Sequence, residues 1–363
     1  MLLRRSLAAG ALAASMACGP TPATPKAEVP IELPRTVDLT PAAGLTTLVE
    51  AHPRALLAHP ELLPLVATVL PEEQFQVFEK RHGGVDPRQL EDLVVASYRS
   101  SRTPERSEGS VANDEPITLV LARGDFDPAR LERAFGERTT RVSGRFVDRP
   151  GGPLSTVLRL EGTSPSATAN PTEEHDELLL LGRQVVGYET RTEGAARVGP
   201  LRVSELFALR KLQRARPALA AAPLDAASRA LGDAPVRVFF PGPFEGETAK
   251  GLGGLLRAAT AVGIAVRPAA ASPPGVTALD VAIVLLGAWN EDAQRTGERF
   301  AAIVSSMTRE DLGRLCGLHE PIRGPDLRVG PQVLTLEATI DARKLASGAH
   351  AATASQIGDI MKD

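Results

Sequence analysis

The stretch Ile117–Phe135, ITLVLARGDFDPARLERAF, decides how the chain is read. Ile117–Ala122 is an apolar, β-branched run and reads as a strand. Gly124 and Phe126 follow, and Asp127-Pro128 then opens a helix over Ala129–Phe135. The aspartate oxygens can accept free amide protons of the first helical turn, and proline suits the first helical position. A second stretch repeats the order: strand Ala282–Leu286 (AIVLL), Gly287, Trp289, an Asn290 cap and a helix over Glu291–Met307. The parallel between Gly124-Asp-Phe-Asp127 and Gly287-Ala-Trp-Asn290 points to two related α/β modules.

Working outward, Leu45–Leu70 reads as helical. Leu45, Leu48, Val49, Leu56, Leu57, Leu62, Leu63, Val66 and Leu70 fall close to a 3.6-residue period. Pro53, Pro60, Pro64 and Pro71 cut that stretch into short helices. Glu72–Arg81 adds a helix stopped by Gly83-Gly84, and Asp86-Pro87 caps a short helix before a strand at Leu93–Tyr98. Thr156–Leu160, Leu178–Leu181, Val185–Tyr188 and Val236–Phe240 read as further strands, and Val203–Leu212 as a helix. Pro104–Glu115 and Gly162–Asp176 read as polar loops. Leu252–Val266 is too short to span a membrane and is interrupted by Gly253, Gly254, Arg257 and Gly263, so it reads as a buried helix followed by a strand. Val333–Ile340 alternates in strand fashion and ends at Asp341, which caps a last helix towards Met361. Strands without long crossover helices imply an α+β fold of mostly antiparallel sheets with helices packed on one face. Pro241-Gly-Pro243 marks the seam between an α+β domain over 42–243 and a second α+β module over 244–363.

The 363 residues carry a net charge of -3, which argues against a basic nucleic-acid binder. An apolar content of 43% permits a buried core, and two cysteines exclude a disulfide framework. The six histidines, His52, His59, His82, His175, His319 and His350, form no HExxH pattern. His52 and His59 each precede a proline and read as solvated or helix-end residues. Cys316 and His319 could serve as nucleophile and base or as two metal ligands, but a small buried cysteine near a helix end is the preferred reading. Arg123-Gly124-Asp125 matches an adhesion tripeptide, yet its place between strand and capped helix explains its residues. Gly251-Leu-Gly253-Gly-Leu-Leu256 lacks the third small residue and the preceding strand of a dinucleotide loop. Glu72-Glu73 and Glu173-Glu174 lie in polar stretches. No GxxxxGK[ST] loop or GxSxG turn occurs, and no catalytic, cofactor or metal residue is assigned.

The N-terminus is more specific. In MLLRRSLAAGALAASMACGP, Arg4 and Arg5 precede a short apolar run from Leu7 to Ala17 and then Cys18. This resembles a bacterial lipoprotein signal, although Ser15 and Met16 replace the family's preferred leucine region. The resemblance implies a signal peptide over 1–17, cleavage after Ala17 and a diacylglycerol thioether on Cys18, with acylation of the new amine. Export with processing at a nearby alanine, or a cytosolic start with an incidental thiol, are the alternatives. Prolines 20, 22, 25, 30, 34 and 41 make 18–41 an extended tether. Gly19, in place of an inner-membrane-retaining aspartate, favours the outer membrane. Arg4-Arg5-Ser6-Leu7 also resembles a twin-arginine signal, with the general export route preferred. Arg54, Pro60, Gly84-Val-Asp-Pro87 and Pro241-Gly-Pro243 are similar to features of envelope lipoproteins of unknown function, which implies no activity. The expectation is an exported protein of the cell envelope, held at the membrane through Cys18. It is a non-catalytic one that binds an envelope partner or supports an assembly and takes no cofactor. An exported enzyme with a site built from scattered residues, or a carrier of an apolar ligand, are the competing readings.

Overall fold

Alternating apolar runs organise this chain into one open antiparallel sheet, with helices inserted between its strands. The computed structural model describes residues 33–99, 117–146, 156–165, 173–192, 199–212, 214–289 and 292–360. The expected signal, Cys18, most of the tether, the Pro104–Glu115 loop and the Asn290 cap lie outside these residues. The strands are β1 Leu45–Ala51, β2 Asp92–Tyr98, β3 Ile117–Arg123, β4 Thr140–Phe146, β5 Thr156–Pro165, β6 Glu173–Leu181, β7 Val185–Thr192, β8 Val236–Pro241, β9 Ala259–Pro268, β10 Ala278–Gly287, β11 Arg323–Val329 and β12 Val333–Asp341. The helices are α1 Pro53–Leu57, α2 Leu63–Val69, α3 Glu72–Arg81, α4 Pro128–Arg138, α5 Pro200–Ala208, α6 Ala222–Leu231, α7 Ala293–Met307, α8 Asp311–Leu315 and α9 Ala342–Ile360.

All twelve strands join one sheet in the order β11-β12-β10-β9-β8-β1-β2-β3-β7-β6-β5-β4. Each half has the same path. β1-β2-β3 form a meander, α4 follows, and β7 returns to pair with β3. β8-β9-β10 form a meander, α7 follows, and β12 returns to pair with β10. The return is made by the same hydrogen bonds. The Gly124 amide donates to the Gln184 carbonyl at 3.0 Å and that of Phe126 to Arg183 at 3.2 Å. The Gly287 amide donates to Gln332 at 3.0 Å and that of Trp289 to Pro331 at 3.0 Å. The receiving turns, Gly182-Arg-Gln-Val185 and Gly330-Pro-Gln-Val333, share their glycine, glutamine and valine. Glycine is needed for space in the second half, where a Cβ at Gly287 would run into the Trp289 ring; at Gly124 a Cβ would meet Leu90 and Phe126 at ordinary contact distance, 3.4 Å.

The structure corrects several expectations. Leu45–Ala51 is not helical but a central strand. A bulge between Leu45 and Thr47 shifts the register, so Leu45 and Leu48 share a face at a spacing that imitates a helix. The short helices begin only at Pro53. Helices cover both faces rather than one. Leu179 and Leu181 of β6 pack in the cluster holding Leu201 of α5 and Leu224 of α6. Their neighbours Leu178 and Leu180 point the other way, into the cluster of Leu131 and Phe135 from α4. In the second half, Val284 joins the first face, and Leu285 meets Phe300 of α7 on the second. Gly162–Asp176 is not all loop, since β5 runs to Pro165 and β6 starts at Glu173. The helix expected at Val203–Leu212 spans Pro200–Ala208. The boundary expected at 243/244 falls between β8 and β9, which pair with each other, and Leu33–Asp363 forms one compact unit.

Phe135 and Phe300 are each fully buried, one in α4 and one in α7. Truncating either to alanine is expected to cost about 3–5 kcal/mol in urea unfolding, with similar losses at the two sites. A large loss at one site and none at the other would show that the two helices do not have matching roles.

Candidate functional site

Polar groups collect where β1 ends and β2 begins. β1 places Leu48 and Glu50 on the face that carries α5 and α6, and the strand then runs into His52, which starts α1. Glu50 lies opposite Arg237 of β8 in the ladder. Both are buried, at 4% and 5% exposure, and the arginine donates through Nε at 2.9 Å and Nη2 at 2.5 Å to Glu50 Oε2. Arg237 Nη1 also donates to Ser228 Oγ at 3.0 Å in α6. A buried charge needs this degree of pairing, because an unpaired one costs far more than a surface charge.

His52 sits between two carboxylates. Its Nδ1 lies 2.9 Å from Asp92 Oδ1, and its Nε2 lies 3.8 Å from Glu50 Oε1. Asp92 also accepts from the Thr36 hydroxyl at 2.7 Å and faces Arg123 Nε at 3.2 Å. Arg123 Nε donates in turn to Thr36 Oγ1 at 3.1 Å, and its Nη2 donates to the Pro34 carbonyl. The cluster therefore ties the first described residues of the chain to the centre of the sheet. The Asp92 hydrogen bond raises the pKa of His52 against the opposing effect of burial, with Glu50 adding to the rise. The imidazole in turn lowers the pKa of Asp92, helped by Thr36 and Arg123.

An open cleft of about 320 Å³ adjoins this cluster, lined by His52, Ala55, His59, Asp233, Ala234, Pro235, Arg237 and Pro268. A histidine oriented by aspartate beside a cleft can act as a general base. The lining holds no serine, threonine or cysteine to activate, and the free ring nitrogen of His52 faces a carboxylate. This geometry favours a protonated, structural imidazolium.

A second charged cluster lies under α5 on the same face. Arg159 bridges Glu177 at 2.5 Å and Glu205 at 3.3 Å, and Arg191 meets Glu189 at 3.2 Å. Glu189 also accepts the Leu201 amide at 2.6 Å in the first turn of α5, where Gly199 has no Cβ to obstruct it. Burial pushes the carboxyls of Glu177 and Glu189 up, against the pull of the Leu201 amide on Glu189 and of the arginines on both. Each carboxylate has a partner, so the cluster fastens α5 to β5–β7.

The residues singled out from the sequence are mostly accounted for by structure. Cys316 is buried at the end of α8, against the backbone at Gly348 of α9, and His319 pairs with Glu320, at 3.5 Å. Arg123 of the adhesion-like tripeptide turns inward to Asp92. Gly253 and Gly254 adopt positive φ, and the Gly253 carbonyl accepts from Arg299. Glu72 pairs with Arg88 at 2.6 Å. His52 and His59 stand at helix starts as expected, but the sequence reading missed the partners of His52. The signal was an acid, Glu50, within the apolar run Leu48-Val-Glu-Ala51. Among the described residues no group of His, Cys, Asp or Glu could hold a metal ion, and no helix is long and apolar enough to cross a membrane. The chain matches no known family, no curated protein and no solved structure.

The His52–Asp92 pair sets a pH dependence. A raised folded-state pKa means that His52 stabilises the fold below its unfolded value of roughly 6.5, and the contribution is lost as pH rises through the folded value. Asp92 behaves oppositely, stabilising above its unfolded pKa and losing its effect as pH falls through the lowered folded one. Thermal melts should therefore show Tm falling on the alkaline side of the imidazole range, and His52→Gln should flatten that limb. An unchanged alkaline slope in the variant would assign the dependence elsewhere.

Proposed function

We propose that this is a lipid-anchored protein of the cell envelope, held through Cys18 and its Pro-rich tether, that works by binding an apolar ligand or partner segment rather than by catalysis. The observation that carries the binding reading is a row of aliphatic side chains across the middle of the sheet. Val120, Val95, Val49, Val238, Ile264 and Ile283 stand directly opposite one another in successive ladders. They share the face that carries α4 and α7, yet all six remain half-buried. Aligned apolar surface left partly open on an otherwise well-packed fold is the usual mark of a binding surface. The anchoring reading rests on the residues around Cys18, and the firm attachment of Pro34 and Thr36 to Arg123 and Asp92 is what a tether junction needs.

The matched returns at Gln184 and Gln332 support reading the two halves as copies of one module. The aliphatic row then lies where the copies meet, at Val49 and Val238. The competing reading is an enzyme using His52 as base, which the cleft beside it favours. It requires His52→Gln to abolish a turnover that the parent protein displays.

Titration with a fluorescent fatty-acid analogue tests the binding surface. The Val49→Thr/Val238→Thr double variant should bind about tenfold more weakly, having exchanged one methyl for a hydroxyl at each position. Equal affinity, with the fold intact by circular dichroism, would exclude the row as the site.

A further inference from the structure

We infer that the end of the sheet where the tether joins is a membrane-docking face, formed by α2, α3, α8 and the end of α7; this rests on the reading of Cys18 as the anchor. The strand registers place these segments together. Ala51 of β1, Val236 of β8, Pro268 of β9, Ala278 of β10 and Asp341 of β12 mark one end of the ladder, and the β1–β2 connection with α1–α3 lies there. β11 also starts at that end, with Arg323 opposite Thr339, so α8 and the approach to β11 belong to it. α9 leaves from the same end and contacts both α2 and α8.

The large hydrophobic residues left exposed among the described residues fall in these segments: Leu63, Val77, Met307, Leu312, Leu315 and Ile322. Leu312 and Leu315 are 61% and 49% exposed and stand three apart on α8, on one side of the helix. No such residue is exposed elsewhere among the described residues. Thr36 and Pro34, held by Asp92 and Arg123 at the same end, are where the chain towards Cys18 departs. Fourteen residues lie between Cys18 and Leu33, a reach of at most about 50 Å. An acylated cysteine on that leash holds this end within about 50 Å of the bilayer. Among the described residues it is the end whose large apolar side chains are exposed enough to insert at the headgroup boundary. Around α8, Arg309 and Arg314 are balanced by Glu310 and Asp311, and α3 brings Glu72, Glu73 and Glu79, so the patch has no basic excess and apolar insertion rather than attraction to anionic lipid drives the contact.

The test uses the chain from Gly19 onward, which keeps the whole compact unit Leu33–Asp363 and removes the signal and Cys18. It is mixed with vesicles of phosphatidylethanolamine and phosphatidylglycerol and separated by flotation. We expect weak, salt-insensitive association, reduced about tenfold or more by Leu312→Asp/Leu315→Asp. Both positions are exposed, so the variant should keep its circular dichroism spectrum. No flotation of the parent chain, or equal flotation of the variant, would overturn the docking face. The anchor is read separately, from the intact mass of the membrane-extracted full chain beside Cys18→Ala. Acyl mass without flotation overturns only the docking face, and flotation without acyl mass overturns the anchor and with it the stated reason for docking.

Discussion

Every other part of the structure depends on the pairing of β1 with β8. These two short strands join the halves of the sheet through Leu48↔Phe239, Val49↔Val238, Glu50↔Arg237 and Ala51↔Val236. The Glu50–Arg237 ion pair crosses the same seam and is almost fully buried. Such a pair adds little net stability over an apolar replacement, but stranding one partner costs about 3–5 kcal/mol. Its effect here is on register. A slip of one residue would turn Glu50 to the opposite face, away from Arg237, and would carry Leu48 out of its core cluster. The aliphatic row crosses from one half to the other at that alignment, and Glu50, held there by Arg237, is the second carboxylate facing His52.

Much of this architecture was legible in the chain. The spacing of glycine and ring in Gly124-Asp-Phe126 and Gly287-Ala-Trp289 points to the two strand-to-helix turns, whose amides at those positions make the same backbone bonds. Asp86, Asp127 and Asp341 cap the elements they were expected to cap. The antiparallel character followed from closely spaced strands. What escaped was whatever depends on residues distant in sequence. The matching turns before β7 and β12, with Gln184 and Gln332, carry their meaning only through backbone bonds to Gly124 and Gly287. β1 imitates a helix in sequence because one bulge puts Leu45 and Leu48 on the same face at a helical spacing. The two-sided packing of helices was hidden because a strand such as Leu178–Leu181 is apolar at every position, which gives both faces the same signal.

The polar residues show the same division. Histidine-before-proline motifs correctly placed His52 and His59 at helix starts, but the partners of His52 come from Asp92, forty residues on, and from Glu50. Glu177 and Glu189 give no signal of their own in the sequence, yet both are buried against arginines and a helix start. These groups serve attachment: one cluster ties the incoming chain to the sheet and the other ties α5 to it. The open apolar features occupy other places, the aliphatic row across the sheet face and the exposed leucines at its end. That separation between satisfied polar groups and unsatisfied apolar ones is the physical basis for reading the protein as a binder.

The β1–β8 seam joins the two halves into one cooperative unit, and Trp289 allows a direct test. It is the single tryptophan of the chain and is buried in the core of the second half, beside Phe300 and Leu334. Its fluorescence therefore reports on that half, whereas far-ultraviolet circular dichroism reports on the entire sheet. Followed together through a urea titration, the two signals should change in one coincident transition, because β1–β8 pairing and the core cluster that spans both halves couple them. A tryptophan transition clearly separated from a second, dichroism-only transition would contradict the account and return the chain to two independent domains.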